Sequence, residues 1–282
     1  MSRLPATLLD GTGEEMLDRD GFAIIEIGRD RLDALEALYA ATRPAELTEF
    51  TATIQLDDPE RRSAVHHGVR EILRPCLEQH FVDHRIVAGN FVVKQPGPWL
   101  VEPHQDFDFV DEQRWRAVLG WIPLHDVDPS NGCLHVVPGS HRLATLPRGS
   151  GDHRFPFAPV LDHLKARRSV AVPLRRGQAV LYDARTLHWS TGNDTGHERV
   201  AGAFAAIPSA AELLHCHVND DDTVTVLAVD DDIYADTPFH GYPVRGREMA
   251  VRHLDDLADY DTHSVDAALD ALDRLSPGAG QR

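Results

Sequence analysis

Cysteine is scarce. The 282 residues hold three, Cys76, Cys133 and Cys216, with no C-x-x-C spacing among them. An odd count without that spacing excludes a disulfide framework and a thiolate zinc site, and points to a reduced, cytoplasmic protein. Met1 to Asp20 lacks the apolar stretch of a secretory signal. No run reaches about 18 apolar residues, so no membrane-spanning helix is expected. Bases are short too: 28 Lys and Arg stand against 45 Asp and Glu, a net charge of −17. A surface of that sign does not neutralise phosphate, which argues against nucleic-acid and anionic-membrane partners. Lysine occurs only as Lys94 and Lys165, so arginine supplies nearly all the bases. With abundant Ala and Asp, that bias suggests a GC-rich bacterial genome. Internal repeats and low-complexity linkers are also lacking.

What is present is a change of period. Gly13–Asp20 reads as a short helix, and Phe22–Ile27 as a strand. Arg31–Thr42 carries Leu32, Leu35 and Leu38 at helical spacing, and Pro44 stops it. Pro59–Phe81 forms a second helix that Pro75 should kink or split. From Arg85 onward short β-branched segments alternate with turns such as Gln95-Pro-Gly-Pro98 and Gly192-Asn-Asp-Thr-Gly196. Strands at that spacing suggest a sandwich or barrel, and helices packed on one sheet make it a single α+β domain, mainly β. We divide it into a helical 1–84, a stranded core 85–210 and an acidic strand-and-helix extension 211–282. Gly139–His163 reads as a long connection over a site. Asn219–Arg282 holds 15 acids and 5 bases, and its triplets Asp220–Asp222 and Asp230–Asp232 read as turn residues around an apolar strand.

Seventeen histidines need spacing to select among them. His104 and Asp106 stand two apart, and on a strand such residues share a face. His188 lies in a second predicted strand, with Ser190 two positions on. Arg199 follows across the Gly192–Gly196 turn, and a hairpin there would bring it to Ser190. Two histidines and a carboxylate form the facial triad of non-haem Fe(II) oxygenases. Arginine suits bidentate capture of a carboxylate, and a serine hydroxyl adds a further hydrogen bond. A keto acid that chelates iron and extends a second carboxylate to that arginine fits both halves, and 2-oxoglutarate is such a molecule.

Together, His104-Gln-Asp106, Asn131-Gly-Cys-Leu-His-Val-Val-Pro-Gly-Ser-His141, His188-x-Ser190 and Arg199 resemble the phytanoyl-CoA dioxygenase family, over roughly Gly21 to Pro208. The resemblance implies a double-stranded β-helix, or jelly roll, with Fe(II) on His104, Asp106 and His188. It implies Ser190 and Arg199 as the clamp for 2-oxoglutarate, and O2 as the oxidant. Some relatives of this fold are halogenases, in which a small residue replaces the ligand carboxylate. With Asp106 present, the resemblance favours hydroxylation or a related oxidation of a small molecule in bacterial natural-product biosynthesis. An amino acid or a carrier-bound intermediate is a candidate substrate.

Other residues carry alternatives. Asn90, Val92 and Lys94 share a strand face. Asn90 and Lys94 are candidates to touch the cosubstrate, and the plainer reading of Lys94 is a surface salt bridge. Gln105 reaches the cosubstrate only if the strand end twists. Trp121 reads as core, and Phe107 and Phe109 as walls of the entrance or packing beneath it. Arg114, Arg142 and Arg185 are candidates for an anionic substrate group. His66, His67, His215, His217 and His240 read as core or surface histidines, with Tyr234 and His240 placed on a C-terminal flap. Two other functions stay open: a cupin-like metal enzyme without 2-oxoglutarate, and a non-catalytic jelly-roll binding protein.

Overall fold

The computed structural model describes residues 4–143, 147–151 and 161–253. Helix α1 (Gly11–Asp20) starts where the Asp10 carboxylate accepts from the Thr12 and Gly13 amides. It ends at Gly21, whose φ of 84° favours a residue without Cβ. Strand β1 (Phe22–Glu26) leads into α2 (Arg29–Thr42), which buries Leu32, Leu35 and Tyr39. After β2 (Phe50–Ala52), α3 (Pro59–His80) begins on an Asp58 cap with Pro59 in its first turn. The expected split at Pro75 does not occur, and α3 runs through it. Pro75 lies on the exposed face, where water can serve the carbonyl that lost its amide partner. Val65, Val69, Leu73 and Leu77 pin the other face to the core.

The remaining elements are mostly short strands. They are β3 (His84–Lys94), β4 (Val101–His104), β5 (Val118–Pro123), β6 (Leu134–Val136) and β7 (Ser150–Gly151). Helix α4 (Leu161–Arg167) follows, then β8 (Val170–Val172), β9 (Gln178–Asp183), β10 (His188–Ser190) and β11 (Arg199–Pro208). The described chain closes with β12 (Leu214–Val218), β13 (Thr223–Ala228), α5 (Ile233–Asp236) and β14 (Arg247–His253). A six-stranded sheet runs β1-β9-β5-β11-β3-β2, and a four-stranded one β4-β10-β6-β8, with every pair antiparallel. A third sheet runs β14-β13-β12-β7, with β7 parallel to β12.

Alternation along the strands sorts the core into layers. On one face of the large sheet, Phe91, Val93, Val118, Ile122, Leu181 and Phe204 meet α2 and α3. On the other, Trp121, Val180, Tyr182 and Ala201 meet Leu134, Val136 and Val172 of the small sheet. The two sheets thus close on a shared interior, as in a jelly roll, and the α+β expectation holds. Residues 211–253 of the acidic extension build the third sheet, and its expected helical tail lies outside the described residues. The second Asp triplet is more than a turn. Asp231 accepts from Arg85 Nε at 3.0 Å and Asp232 from Arg70 Nη1 at 2.6 Å, which fastens the extension to α3 and β3.

Candidate active site

His104 and His188 are direct cross-strand partners on β4 and β10, with ring centroids 4.3 Å apart. Each ring is oriented by a backbone carbonyl. His104 Nδ1 donates to Glu102 O at 2.7 Å, and His188 Nδ1 to Thr186 O at 3.0 Å. That tautomer leaves both Nε2 lone pairs free for a metal. Asp106 completes the cluster: one ligand atom from each of the three residues lies within 4.8 Å of the others. Its Oδ2 is buried without a hydrogen-bond partner, 3.6 Å from His188 Nε2. Burial, then the neighbouring His104, lowers the His188 pKa to about 4, so its imidazole is neutral and able to ligate. An orphaned carboxylate oxygen beside two imidazole Nε2 atoms fits a divalent cation with N and O ligands.

Asp106 itself lies beyond the strand. β4 ends at His104, so strand alternation does not place the carboxylate. The Asp106 amide donates instead to Ala184 O at 3.0 Å, which folds the loop back beside β10.

The anion side differs from expectation in a similar way. β10 and β11 do not form a hairpin and belong to different sheets. Arg199 pairs across strands with Lys94, and Lys94 Nζ crosses to the small sheet to donate to Ser190 Oγ at 2.9 Å. Lys94 is fully buried and also donates to Trp99 O and Thr191 O, so the surface-salt-bridge reading fails. Arg199 is 2% exposed, its Nε and Nη1 lack partners, and its guanidinium lies 5.1 Å from the Trp121 ring centroid. Burial lowers the Arg199 pKa to about 10. Burial, then Arg199, lowers that of Lys94 to about 7. Two buried cations without a counter-charge, one of them with unmet donors on Arg199, call for an anion. Ser190 stands two residues along β10 from His188, about 7 Å of strand, a distance that one short diacid spans.

Sequence comparison agrees with this geometry. The family model described as phytanoyl-CoA dioxygenase (PhyH) matches residues 17–201. The chain belongs to the phytanoyl-CoA dioxygenase family. "Phytanoyl-CoA dioxygenase domain-containing protein 1" of Danio rerio is 30% identical over 145 residues, 48% of each chain. This chain therefore spans about half the length of the curated relatives it first matches. Two solved structures share the family fold at a TM-score of 0.53. The epimerase SnoN, in complex with Fe3+, alpha ketoglutarate and nogalamycin RO, is 22% identical and covers 84% of this chain and 93% of its own. EctD from S. alaskensis, with 2-oxoglutarate and 5-hydroxyectoine, is 21% identical and covers 90% and 89%.

The remaining candidates scatter around this phytanoyl-CoA dioxygenase-family centre. Asn90 is half-buried on the same inward face as Lys94, opposite Ala203 of β11. The Gln105 amide donates to Arg185 O, which ties it to the β9–β10 loop. Arg185 forks onto Asp183, with Nε to Oδ1 at 2.9 Å and Nη2 to Oδ2 at 2.6 Å, so its charge is already met. Arg114 and Arg142 are exposed. Phe107 stacks on Phe239 with centroids 4.1 Å apart, and Phe109 meets Tyr234 edge-on, so both pack beneath the C-terminal segment. His240 meets Phe107 edge-on. Sequence reasoning missed Tyr182. Its hydroxyl bonds Asp106, and its pKa is pushed well up by burial and by that carboxylate. The inward alternation of β9 was the available signal. Trp121, for which core packing is the plainer sequence reading, is buried in the core and also carries Arg199.

Proposed function

We propose that this chain is a non-haem Fe(II)- and 2-oxoglutarate-dependent dioxygenase that hydroxylates, or otherwise oxidises, an unactivated C–H of a small molecule. The observation that carries the reading is the pairing of two unmet needs: a His104–Asp106–His188 cluster with an orphaned oxygen, and the buried Arg199–Lys94 pair nearby. His104, Asp106 and His188 would hold the iron, with Tyr182 steadying the carboxylate through its hydrogen bond. Arg199 and Ser190, with Lys94 behind the serine, would take the distal carboxylate of 2-oxoglutarate. Bound there, iron supplies O2 activation coupled to decarboxylation of 2-oxoglutarate to succinate. The chain orients both reactants, and its apolar inner face (Val92, Val136, Val180, Ala201) keeps water from them. A cupin-like enzyme that works without 2-oxoglutarate has no use for a buried, unpaired Arg199. A role in bacterial natural-product biosynthesis rests on the arginine-rich composition and the breadth of the family.

Succinate release from 2-oxoglutarate, with and without Fe(II), tests the reading. We expect iron-dependent release, its loss in Asp106→Ala, and a KM for 2-oxoglutarate raised at least about tenfold in Arg199→Ala, from loss of a charge-assisted pair. Undiminished succinate production by Asp106→Ala would sink the ligand assignment.

A further inference from the structure

Asp106 lies beyond the end of β4, so something other than strand pairing must hold it. Ala184 O takes its amide on one side. On the other, Arg148 Nε donates to the Asp106 carbonyl oxygen at 2.6 Å. The rest of that guanidinium meets two acids: Nη2 lies 2.8 Å from Asp108 Oδ1 and 2.6 Å from Glu112 Oε1. The backbone doubles the link. Asp108 N donates to Arg148 O at 3.0 Å, and Arg148 N to Asp108 Oδ2 at 3.2 Å. Arg148 is buried, so these contacts form away from water, where a charged fork is most directional.

Arg148 is itself held from behind by the third sheet. Just after this arginine, Ser150 and Gly151 pair with β12, with Ser150 opposite His217. A Cβ on Gly149 would overlap the Cys216 carbonyl, so only glycine permits that approach. Ser150 Oγ sits between His215 Nε2 at 2.8 Å and His217 Nδ1 at 2.7 Å. The Phe107–Phe239 stack fastens the loop to the same C-terminal segment one residue past Asp106.

We propose that Arg148 is a positioning residue for the Asp106 carboxylate. Seated on the third sheet, its fork over the Asp106 carbonyl, Asp108 and Glu112 sets the direction in which Asp106 faces His104 and His188. The inference rests on the metal-site reading above and extends it by giving the acidic C-terminal sheet a part in that site. Lysine cannot replace this arginine, because a single ammonium does not reproduce the planar fork.

Co(II) serves as the probe, titrated by calorimetry into the metal-free full chain, with its visible ligand-field spectrum recorded. Arg148→Lys keeps the charge and removes the fork. We expect its Co(II) Kd to rise about 10–100-fold, the usual effect of losing an outer support of a ligand, with an altered spectrum. Glu112→Gln removes one of the two ion pairs at similar size and gives a smaller rise in the same direction. Folded Arg148→Lys with the wild-type Kd and spectrum overturns the assignment. If Arg148→Lys does not fold, Glu112→Gln decides, and unchanged Kd and spectrum overturn it. A wild-type chain that takes up no Co(II) overturns the metal reading itself, a result distinct from both.

Discussion

Lys94 and Arg199 stand side by side in the interior, and neither forms an ion pair with a carboxylate among the described residues. Such a pair is costly without an anion, and the cost appears in the lysine, whose pKa falls to about 7 through burial and then Arg199. A bound dicarboxylate favours the ammonium form and raises that pKa again. The sign follows: affinity for 2-oxoglutarate is greatest below about pH 7 and falls as Lys94 loses its proton. The Kd should rise with pH between about 7 and 9, by at most tenfold per unit. Lys94→Met should bind more weakly and lose most of that slope. Titration of 2-oxoglutarate at several pH values, followed by calorimetry, reads both effects. A slope in Lys94→Met equal to wild type would place the titrating group elsewhere. At this scale the motif residues were legible because ligand chemistry demands particular side chains at particular spacings. Tyr182, Trp121 and Arg148 were not, because each acts through a neighbour that only the fold brings to it. The hairpin expected to join Arg199 to Ser190 is absent, and Lys94, paired with Arg199 on one sheet and bonded to Ser190 on the other, stands between them.

Among elements, the long alternating strands β3, β5, β9 and β11 were legible from period alone, and so were α2 and α3. The short β6, β8 and β10 were legible too, whereas β4 and β12 escaped. β4 reads Val-Glu-Pro-His, and its proline argues against a strand interior although an edge position tolerates it. β12 reads Leu-His-Cys-His-Val, and its histidines hid a strand buried beneath Ser150 and Tyr234. Pro75 erred in the opposite direction, since tertiary packing of the apolar stripe of α3 outweighed a local breaker. The helix still carries the local penalty of a missing amide donor. Proline inside a helix costs about 3 kcal/mol relative to alanine, and its restriction of the unfolded chain returns about 1 kcal/mol or less. Pro75→Ala at this exposed position should therefore stabilise the chain by about 1–2 kcal/mol in urea unfolding. A neutral or destabilising result would mean that the helix has bent to relieve the penalty.

At the scale of the whole molecule, the excess of acids and the many histidines oppose each other on acidification. Falling pH reduces a net charge of −17 and so relieves self-repulsion. It also drives protons onto imidazoles that the fold keeps neutral. His66 on α3, His141 against α1 and His215 on β12 each sit where separate layers meet, and burial lowers each pKa to about 4. His217 and His240 lower His215 further, and Arg70 does the same for His66. A folded pKa below the unfolded value of about 6.5 means that the unfolded chain binds protons first. The stability is thus present above about pH 6.5 and lost as pH falls toward 4. Each depression is worth about 3 kcal/mol at about 1.4 kcal/mol per unit, and three such groups approach the entire stability of about 5–15 kcal/mol typical of a domain. Surface repulsion is spread over the molecule and screened beyond about 8 Å at physiological salt, so the buried histidines should win. For the metal-free chain in 0.15 M salt, the urea midpoint should be nearly level from pH 7.5 to 6.5 and then drop steeply to pH 4.5. His66→Gln should shallow that drop by about one proton's worth of slope. A midpoint that holds or climbs over the acid range would show that charge relief dominates and that these imidazoles are protonated without opening the fold.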